Sequence, residues 1–136
     1  MPNKTLAIEW LRKAYHDLSS AHILYDAEHF TDTIGCDLQQ AIEKMLKSFL
    51  AYENKKIKKT HNLIDVYESV KEHIQLDESE IRILAITTNY YAEDKYPTTY
   101  CVLPEREEIE EVLNFAQNLF TRICQTLSID QQDVKR

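Results

Sequence analysis

The chain has 136 residues and a formal net charge of −7, with 43% hydrophobic and 29% charged residues. This balance is typical of one globular domain with a single core and excludes a disordered chain. One glycine and three prolines are too few turn residues for a sheet protein of this length. No apolar run approaches the roughly 20 residues that span a bilayer. The N-terminal residues also lack the blocks of a signal peptide, so we expect a cytoplasmic protein without a membrane segment.

The first predicted element is a helix from about Thr5 to Ala27. Its apolar residues recur at spacings of three and four, which is typical of one buried helix face. The predicted inward positions are Leu6, Trp10, Ala14, Leu18, Ala21 and Leu24. Asp17 falls inside this stripe. A carboxylate there either finds a cationic partner or reaches water at the edge of the helix.

The second helix is predicted from Thr31 or Asp32, either of which can cap it, to Tyr52. Its apolar positions cover nearly half of a helical wheel: Ile34, Leu38, Ala41, Ile42, Met45, Leu46, Phe49 and Leu50. So wide an arc predicts a central helix, or one that also meets a second subunit. We assign Gln40, Glu43, Lys44 and Lys47 to the opposite, exposed face. There, Glu43 and Lys47 would contribute only about 0.2–0.5 kcal/mol as an i, i+4 pair.

Two shorter helices follow a polar loop over residues 54–60. The third is predicted over residues 61–74, capped by Thr60 or Asn62. Its inward positions are Leu63, Val66, Tyr67, Val70 and Ile74. The fourth is predicted from Glu78 to about Asp94, because acidic residues suit a helix N-terminus and Pro97 must end the helix.

The last helix is predicted from Pro104 to about Leu127, with acidic residues in its first turn. Its inward positions are Ile109, Val112, Leu113, Ala116, Leu119, Phe120, Ile123 and Leu127. The sequence therefore predicts an all-α protein: an up-and-down four-helix-type bundle of about five helices, two of them short. We expect a single domain over residues 1–136, with a core at about 5–127 and a frayed tail at 128–136.

Common catalytic and metal-binding motifs are absent from the sequence. A single glycine cannot form a glycine-rich phosphate loop, and there is no G-x-S-x-G elbow. The three cysteines form no CxxC pair and the five histidines no HExxH pattern. We therefore expect no metal site, no cofactor and reduced thiols.

Two segments stand out by composition. Residues 44–61 hold six lysines and one acid, a local charge of +5 in an acidic chain. Residues 89–100, NYYAEDKYPTTY, hold four of the eight tyrosines around a helix-stopping proline. The basic segment is able to hold a phosphate, although such runs are more often a solvated loop.

Four segments, in this order, resemble the HEPN domain, named for higher eukaryotes and prokaryotes nucleotide-binding. They are Ala14-x-x-Asp17-Leu18-x-x-Ala21, Gln39-Gln40-Ala41-x-Glu43-Lys44-x-x-Lys47, Lys59-Thr60-His61-Asn62-Leu63 and Tyr91-x-x-x-Lys95-Tyr96-Pro97. The resemblance covers about residues 5–127. It implies a helical bundle that forms homodimers and binds a nucleotide or nucleotide-like ligand. It also implies a minimal nucleotidyltransferase as companion protein, in a toxin–antitoxin-like pair.

One branch of the family cleaves RNA with an arginine followed, after four to six residues, by a histidine. Here Arg12 and His16 are separated by only three residues, and no other arginine has a histidine at that spacing. Lys95-Tyr96-Pro97 also stands where many relatives have Arg-Tyr-Pro. The resemblance therefore implies the branch without this ribonuclease motif, and no catalytic residue is predicted.

The resemblance also implies a polar cleft. Its candidate ligand-binding residues are Lys95, Tyr91, Tyr96, His61, Lys59, Lys44, Gln40 and Asp17. In this interpretation Lys95 contacts phosphate and Tyr91 or Tyr96 stacks on a base. In the structural alternative, Lys95 suits a helix C-terminus, Tyr96 and Pro97 anchor a turn, and His61 packs against the second helix.

Three functions remain open from the sequence. The first is a non-catalytic nucleotide-binding module. The second is a divergent, metal-independent ribonuclease toxin that uses Lys95 and His61. The third is a protein-interaction bundle without a ligand, in which the apolar arc of the second helix binds a partner.

Overall fold

The computed structural model describes residues 1–91 and 103–136, and every regular element in these ranges is α-helical. The helices are α1 (Lys4–Asp26), α2 (Thr31–Tyr52), α3 (Leu63–Val70), α4 (Glu78–Thr88), α5 (Arg106–Thr126) and α6 (Gln131–Val134). They pack as a single-domain bundle, which confirms the predicted fold class. Among the described residues, no helix has both the length and the apolarity that crossing a membrane requires.

Helix α2 lies at the centre of the bundle. It contacts α1, α3, α4 and α5. All eight predicted apolar positions of α2 are buried. The wide apolar arc is therefore explained by four neighbours within one chain, because each neighbour covers a different part of the helix surface.

The buried face of α1 differs from the predicted stripe at its N-terminal end. Ala7 and Leu11 are fully buried, whereas Leu6 is exposed and Trp10 only half-buried. The shift of one residue arises because small alanines at positions 7, 14 and 21 lie against α2, and alanine gives a weak signal in a periodicity pattern.

The helix starts agree with the sequence only in part. Residue Phe30 precedes α2 without a side-chain cap, so the predicted cap at Thr31 or Asp32 is wrong. Asn62 caps α3 as predicted, and its side chain accepts hydrogen bonds from the amides of Ile64 and Asp65. The helix itself is shorter than predicted, covering only Leu63–Val70.

Helix α4 begins with a capping box formed by Asp77 and Glu80 and ends at Thr88. The predicted end of this helix near Asp94 lies outside the described residues. Helix α5 begins at Arg106, two residues after Pro104, and all eight of its predicted inward residues are buried.

The C-terminal residues pack against the bundle, contrary to the predicted frayed tail. Ile129 and Val134 are buried, and Asp130 caps α6. The amino group of Lys4 and the guanidinium of Arg12 donate hydrogen bonds to the backbone carbonyls of Ser128 (3.0 Å) and Asp133 (2.8 Å). The prediction was wrong because residues 128–136 are mostly polar, but the two apolar residues Ile129 and Val134 are buried and the helix α6 contacts α1.

Three of the long helices end in the same way without glycine. Glu28, Asn54 and Ser128 have φ values of 57°, 56° and 54°, in the left-handed region. After each of them, a backbone amide bonds to a carbonyl five residues earlier, as in a Schellman motif. These turns explain how a chain with one glycine builds a compact bundle.

Candidate functional site

The candidate site lies where the segment before α3 crosses the middle of α2. Its centre is the carboxylate of Glu43, which is buried with a side-chain exposure of 7%. Oxygen Oε2 accepts a hydrogen bond from Lys47 Nζ at 3.0 Å. Oxygen Oε1 accepts one from Gln39 Nε2 at 3.0 Å and lies 2.9 Å from His61 Nδ1. We call Gln39, Glu43, Lys47 and His61 the Glu43 network.

The assignment of Glu43 and Lys47 to an exposed face is wrong. Both side chains are buried because the segment before α3 covers them. The sequence did hold a signal for this burial. Leu50, a predicted core residue, lies seven residues after Glu43 and therefore on nearly the same side of an α-helix.

The network keeps Glu43 ionised. Burial raises the pKa of a carboxyl group, but the hydrogen bonds from His61, Gln39 and Lys47 outweigh it, and the pKa of Glu43 is lowered. The ammonium of Lys47 supplies the compensating charge inside the protein. A buried ion pair of this kind is poor at adding stability, but it fixes geometry when all its polar atoms are paired.

His61 is held at two points but remains half exposed. Its backbone carbonyl accepts a hydrogen bond from Gln39 Nε2 at 2.9 Å, and its ring contacts Glu43. The exposed fraction of its side chain is 51%. The neighbouring Leu63 amide donates to Thr88 Oγ1 at 3.0 Å, which ties this segment to the end of α4.

Tyr91 stacks on His61. The ring centroids are 4.2 Å apart and the planes differ by 18°. The chain reaches this position through Tyr90, whose ring lies against Gly35 of α2. A Cβ on Gly35 would lie 2.9 Å from the Tyr90 ring, so glycine permits the close approach. The stack of His61 and Tyr91 is thus anchored by α2 on both sides.

The remaining predicted residues are placed as follows. Gln40 donates to Gln39 Oε1 at 2.7 Å and so extends the Glu43 network along α2. Lys44 and Asp17 form an ion pair at 2.6 Å, which confirms a cationic partner for the inward Asp17. Lys59 is exposed two residues before His61. Lys95 and Tyr96 lie outside the described residues.

Ion pairing reduces the basic patch that the sequence suggested. Lys44, Lys47 and Lys55 are each paired with carboxylates. Within residues 1–91 and 103–136, no carboxylate lies within ion-pairing distance of Lys58 or Lys59. Among the described residues, the unpaired positive charge near His61 is therefore in the loop and not on α2.

A shallow groove of about 280 Å³ lies beside the Asp17–Lys44 pair. It is lined by Glu9, Trp10, Lys13 and Lys44. The apolar stripe of α1 predicts Trp10 in the core, but its ring is partly exposed in this groove. The i, i+3 spacing of Trp10 and Lys13 on α1 was the available signal.

One cluster in the described part of the chain has the ligand types of a metal site. Donor atoms of Glu53, Glu72 and His73 lie within 4.8 Å of one another. However, Lys55 Nζ lies 3.2 Å from Glu53 and 3.6 Å from Glu72, so an ammonium already compensates these carboxylates. The sequence prediction of no metal site stays a prediction.

The fold and sequence match known proteins of one family. The profile of the HEPN domain family matches residues 7–127. The chain belongs to the HEPN domain family. The structure of TT1696 from Thermus thermophilus superposes with a TM-score of 0.75 at 23% identity, covering 88% of this chain and 97% of that one.

A second solved structure shows the same fold at lower identity. This is ST0689, described as an archaeal HEPN homologue, with a TM-score of 0.67 and 15% identity. The match covers 89% of this chain and 97% of that chain. No curated protein sequence matches this HEPN chain.

Proposed function

We propose that this HEPN chain is a non-catalytic, homodimeric, cytoplasmic nucleotide-binding module, and that the stack of His61 and Tyr91 is part of its binding site. One observation carries the proposal. The buried carboxylate of Glu43, with hydrogen-bond partners on both oxygens, holds the half-exposed His61 and its stacking partner Tyr91 beside a lysine-rich loop. A binding site requires this kind of rigid support beneath exposed groups.

The chemistry of the exposed groups fits the parts of a nucleotide. Aromatic rings stack on bases, and ammonium groups attract phosphate. Lys58 and Lys59 supply the charge, and Tyr91 supplies aromatic surface. Lys95 remains the predicted phosphate contact from the segment outside the described residues. Gln40, Lys44 and Asp17 form the neighbouring polar surface of α1 and α2.

A minimal nucleotidyltransferase is the proposed companion protein, in a toxin–antitoxin-like pair. Membership of the HEPN family supports this part of the proposal. Co-expression with such an enzyme should give a stable complex on size exclusion, and sedimentation of the HEPN chain alone should give the mass of a dimer. A monomer in both experiments would contradict the assembly but not the ligand site.

Ligand binding is tested by thermal-shift titration with AMP, ATP and a short RNA. A ligand at 100 times its dissociation constant stabilises the folded state by about 2.7 kcal/mol, which raises the melting temperature by several degrees. The doubly substituted variant Lys58→Gln, Lys59→Gln should lose most of this shift. The matched control Lys55→Gln, at a paired lysine, should keep it. Equal responses of the two variants would remove the loop lysines from the site.

A divergent ribonuclease is the second candidate, because a carboxylate beside a histidine is an arrangement that orients a general base. The contact between His61 Nδ1 and Glu43 has this arrangement. If the protein cleaves RNA, cleavage should persist in a chelator and disappear in His61→Ala. Intact RNA after prolonged incubation with the wild type would rule out the ribonuclease, and nucleotide binding would be the remaining candidate function.

A further inference from the structure

The two ring nitrogens of His61 have different surroundings. Nitrogen Nδ1 lies 2.9 Å from Glu43 Oε1, in the buried part of the site. An ionised carboxylate only accepts hydrogen bonds, so Nδ1 must carry a proton and donate it. Nitrogen Nε2 lies across the ring from this contact and is therefore directed away from the Glu43 network, and the side chain as a whole is 51% exposed. In the described part of the chain Nε2 has no hydrogen-bond partner.

A neutral imidazole has a single ring proton. Glu43 and Lys47 form a buried ion pair, and Nδ1 of His61 faces the carboxylate of that pair. A neutral His61 that donates from Nδ1 to Glu43 therefore carries its lone pair on Nε2, directed away from the pair.

We propose that Nε2 of His61 accepts a hydrogen bond from a ribose hydroxyl of the bound nucleotide, so that the site selects ribonucleotides over deoxyribonucleotides. This inference rests on the proposed function and specifies its ligand class. Glu43, Lys47 and Gln39 then act as positioning residues, since they fix the ring and its proton without touching the ligand.

The ligand chemistry follows from what an outward lone pair recognises. A phosphate dianion offers no proton to it, so phosphate belongs with Lys58 and Lys59. Lys59 is two residues from His61, a backbone span of at most about 7 Å. The ribose is bonded directly to the phosphate, whereas a base amino group lies on the far side of the base. The 2′-hydroxyl is also the group by which proteins distinguish RNA from DNA.

A second histidine in the same protein provides an internal control. His73 uses its other nitrogen, since Nε2 contacts Glu53. Neutral His73 must therefore carry its proton on Nε2, the reverse of His61. Both imidazole rings are stacked on an aromatic side chain. A difference between their ¹⁵N chemical shifts therefore reports which nitrogen carries the proton and not the presence of a neighbouring ring.

The first test is long-range ¹H–¹⁵N correlation spectroscopy of the wild type without ligand at pH 7.5. We expect the Nδ1–H tautomer at His61 and the Nε2–H tautomer at His73. An Nε2–H tautomer or a doubly protonated ring at His61 would overturn the inference, whatever the protein binds. No variant is needed, so loss of folding cannot obscure the result.

The second test compares AMP, 2′-deoxy-AMP, 3′-deoxy-AMP and IMP by calorimetric titration. 2′-Deoxy-AMP should bind about fivefold more weakly than AMP, which is the loss expected for one hydrogen bond, and 3′-deoxy-AMP should bind like AMP. In His61→Phe, which keeps a stacking ring, AMP and 2′-deoxy-AMP should bind equally. Binding of 2′-deoxy-AMP to the wild type as tightly as AMP, or a loss only with 3′-deoxy-AMP or IMP, would overturn the inference. Failure of every nucleotide to bind would instead overturn the proposed function, while the tautomer would still be measured.

Discussion

Two carboxylates of this protein have the same kinds of partner but differ in burial. Glu43 contacts His61 and Lys47, whereas Glu53 contacts His73 and Lys55. In the first group the carboxylate is buried and the histidine half exposed. In the second group the carboxylate is partly exposed. His73 is less exposed than His61, and its ring is stacked on Phe49.

The two groups differ in whether the histidine is presented to solvent. The Glu43 network presents an imidazole to the outside from a buried base, which suits recognition of a ligand. The Glu53 group joins the end of α2 to the turn after α3 and covers its own imidazole. Sequence composition cannot distinguish the two, because each is one glutamate, one histidine and one lysine.

The largest expected difference follows from removing each lysine. Lys47→Ala leaves the Glu43 carboxylate buried with less compensation and should lower the free energy of unfolding by about 3–5 kcal/mol. Lys55→Ala, on an exposed side chain, should leave the urea midpoint unchanged. Urea denaturation followed by circular dichroism measures both. Similar midpoints for the two variants would mean that Lys47 is not buried in solution.

Acid should reveal the same difference. The folded state lowers the pKa of Glu43 below its ordinary value of 4.5, so folding is favoured above that pH. Between the two pKa values of Glu43 the unfolded chain binds a proton that the folded chain does not. The stability is therefore lost as the pH falls from 4.5 through the lower pKa of the folded state. The unfolding free energy of the wild type should therefore decrease below about pH 4.5.

The pKa of Glu53 is also lowered, chiefly by His73, so both groups contribute to acid sensitivity. Glu43→Gln should flatten the pH dependence more than Glu53→Gln, since protonation of Glu43 also leaves Lys47 buried without a charged partner. Urea titrations from pH 3 to pH 6 test this order. A steeper residual slope in Glu43→Gln would reverse it.

Gly35→Ala should disturb His61 and leave His73 unchanged. The added Cβ meets the Tyr90 ring at 2.9 Å, so this ring and the adjoining Tyr91 must shift. Overpacking costs about 1–3 kcal/mol, offset by about 1 kcal/mol of better helix propensity. We expect a net loss of about 1 kcal/mol, together with changed chemical shifts at His61 and unchanged shifts at His73. Unaltered shifts at both rings would show that the Gly35 contact does not position Tyr91.

The smallest expected effect is at the cap of α3. Asn62→Ala removes the acceptor for the amides of Ile64 and Asp65 and should cost about 1 kcal/mol. Hydrogen exchange should accelerate at the start of α3, next to His61, and not at its end, near His73. Uniform acceleration along α3 would indicate global unfolding instead.

The sequence predicts the helices and their apolar faces well, because helical periodicity is a local signal. It does not predict the burial of Glu43, since burial depends on a segment about 20 residues later in the chain crossing that face. The same limit applies to Val134, because α6 docks on α1 from more than a hundred positions away in the sequence. The family resemblance predicts His61 and Tyr91 as binding residues, but only the structure shows that their rings stack.

The docking of α6 on α1 also has a consequence for the order of folding. Helices α1 and α2 are neighbours in sequence and can pair as soon as both have left the ribosome. The patch of α1 that α6 covers stays exposed until residues 131–134 have emerged. A chain that stalls before residue 129 therefore displays this patch and should be a chaperone substrate.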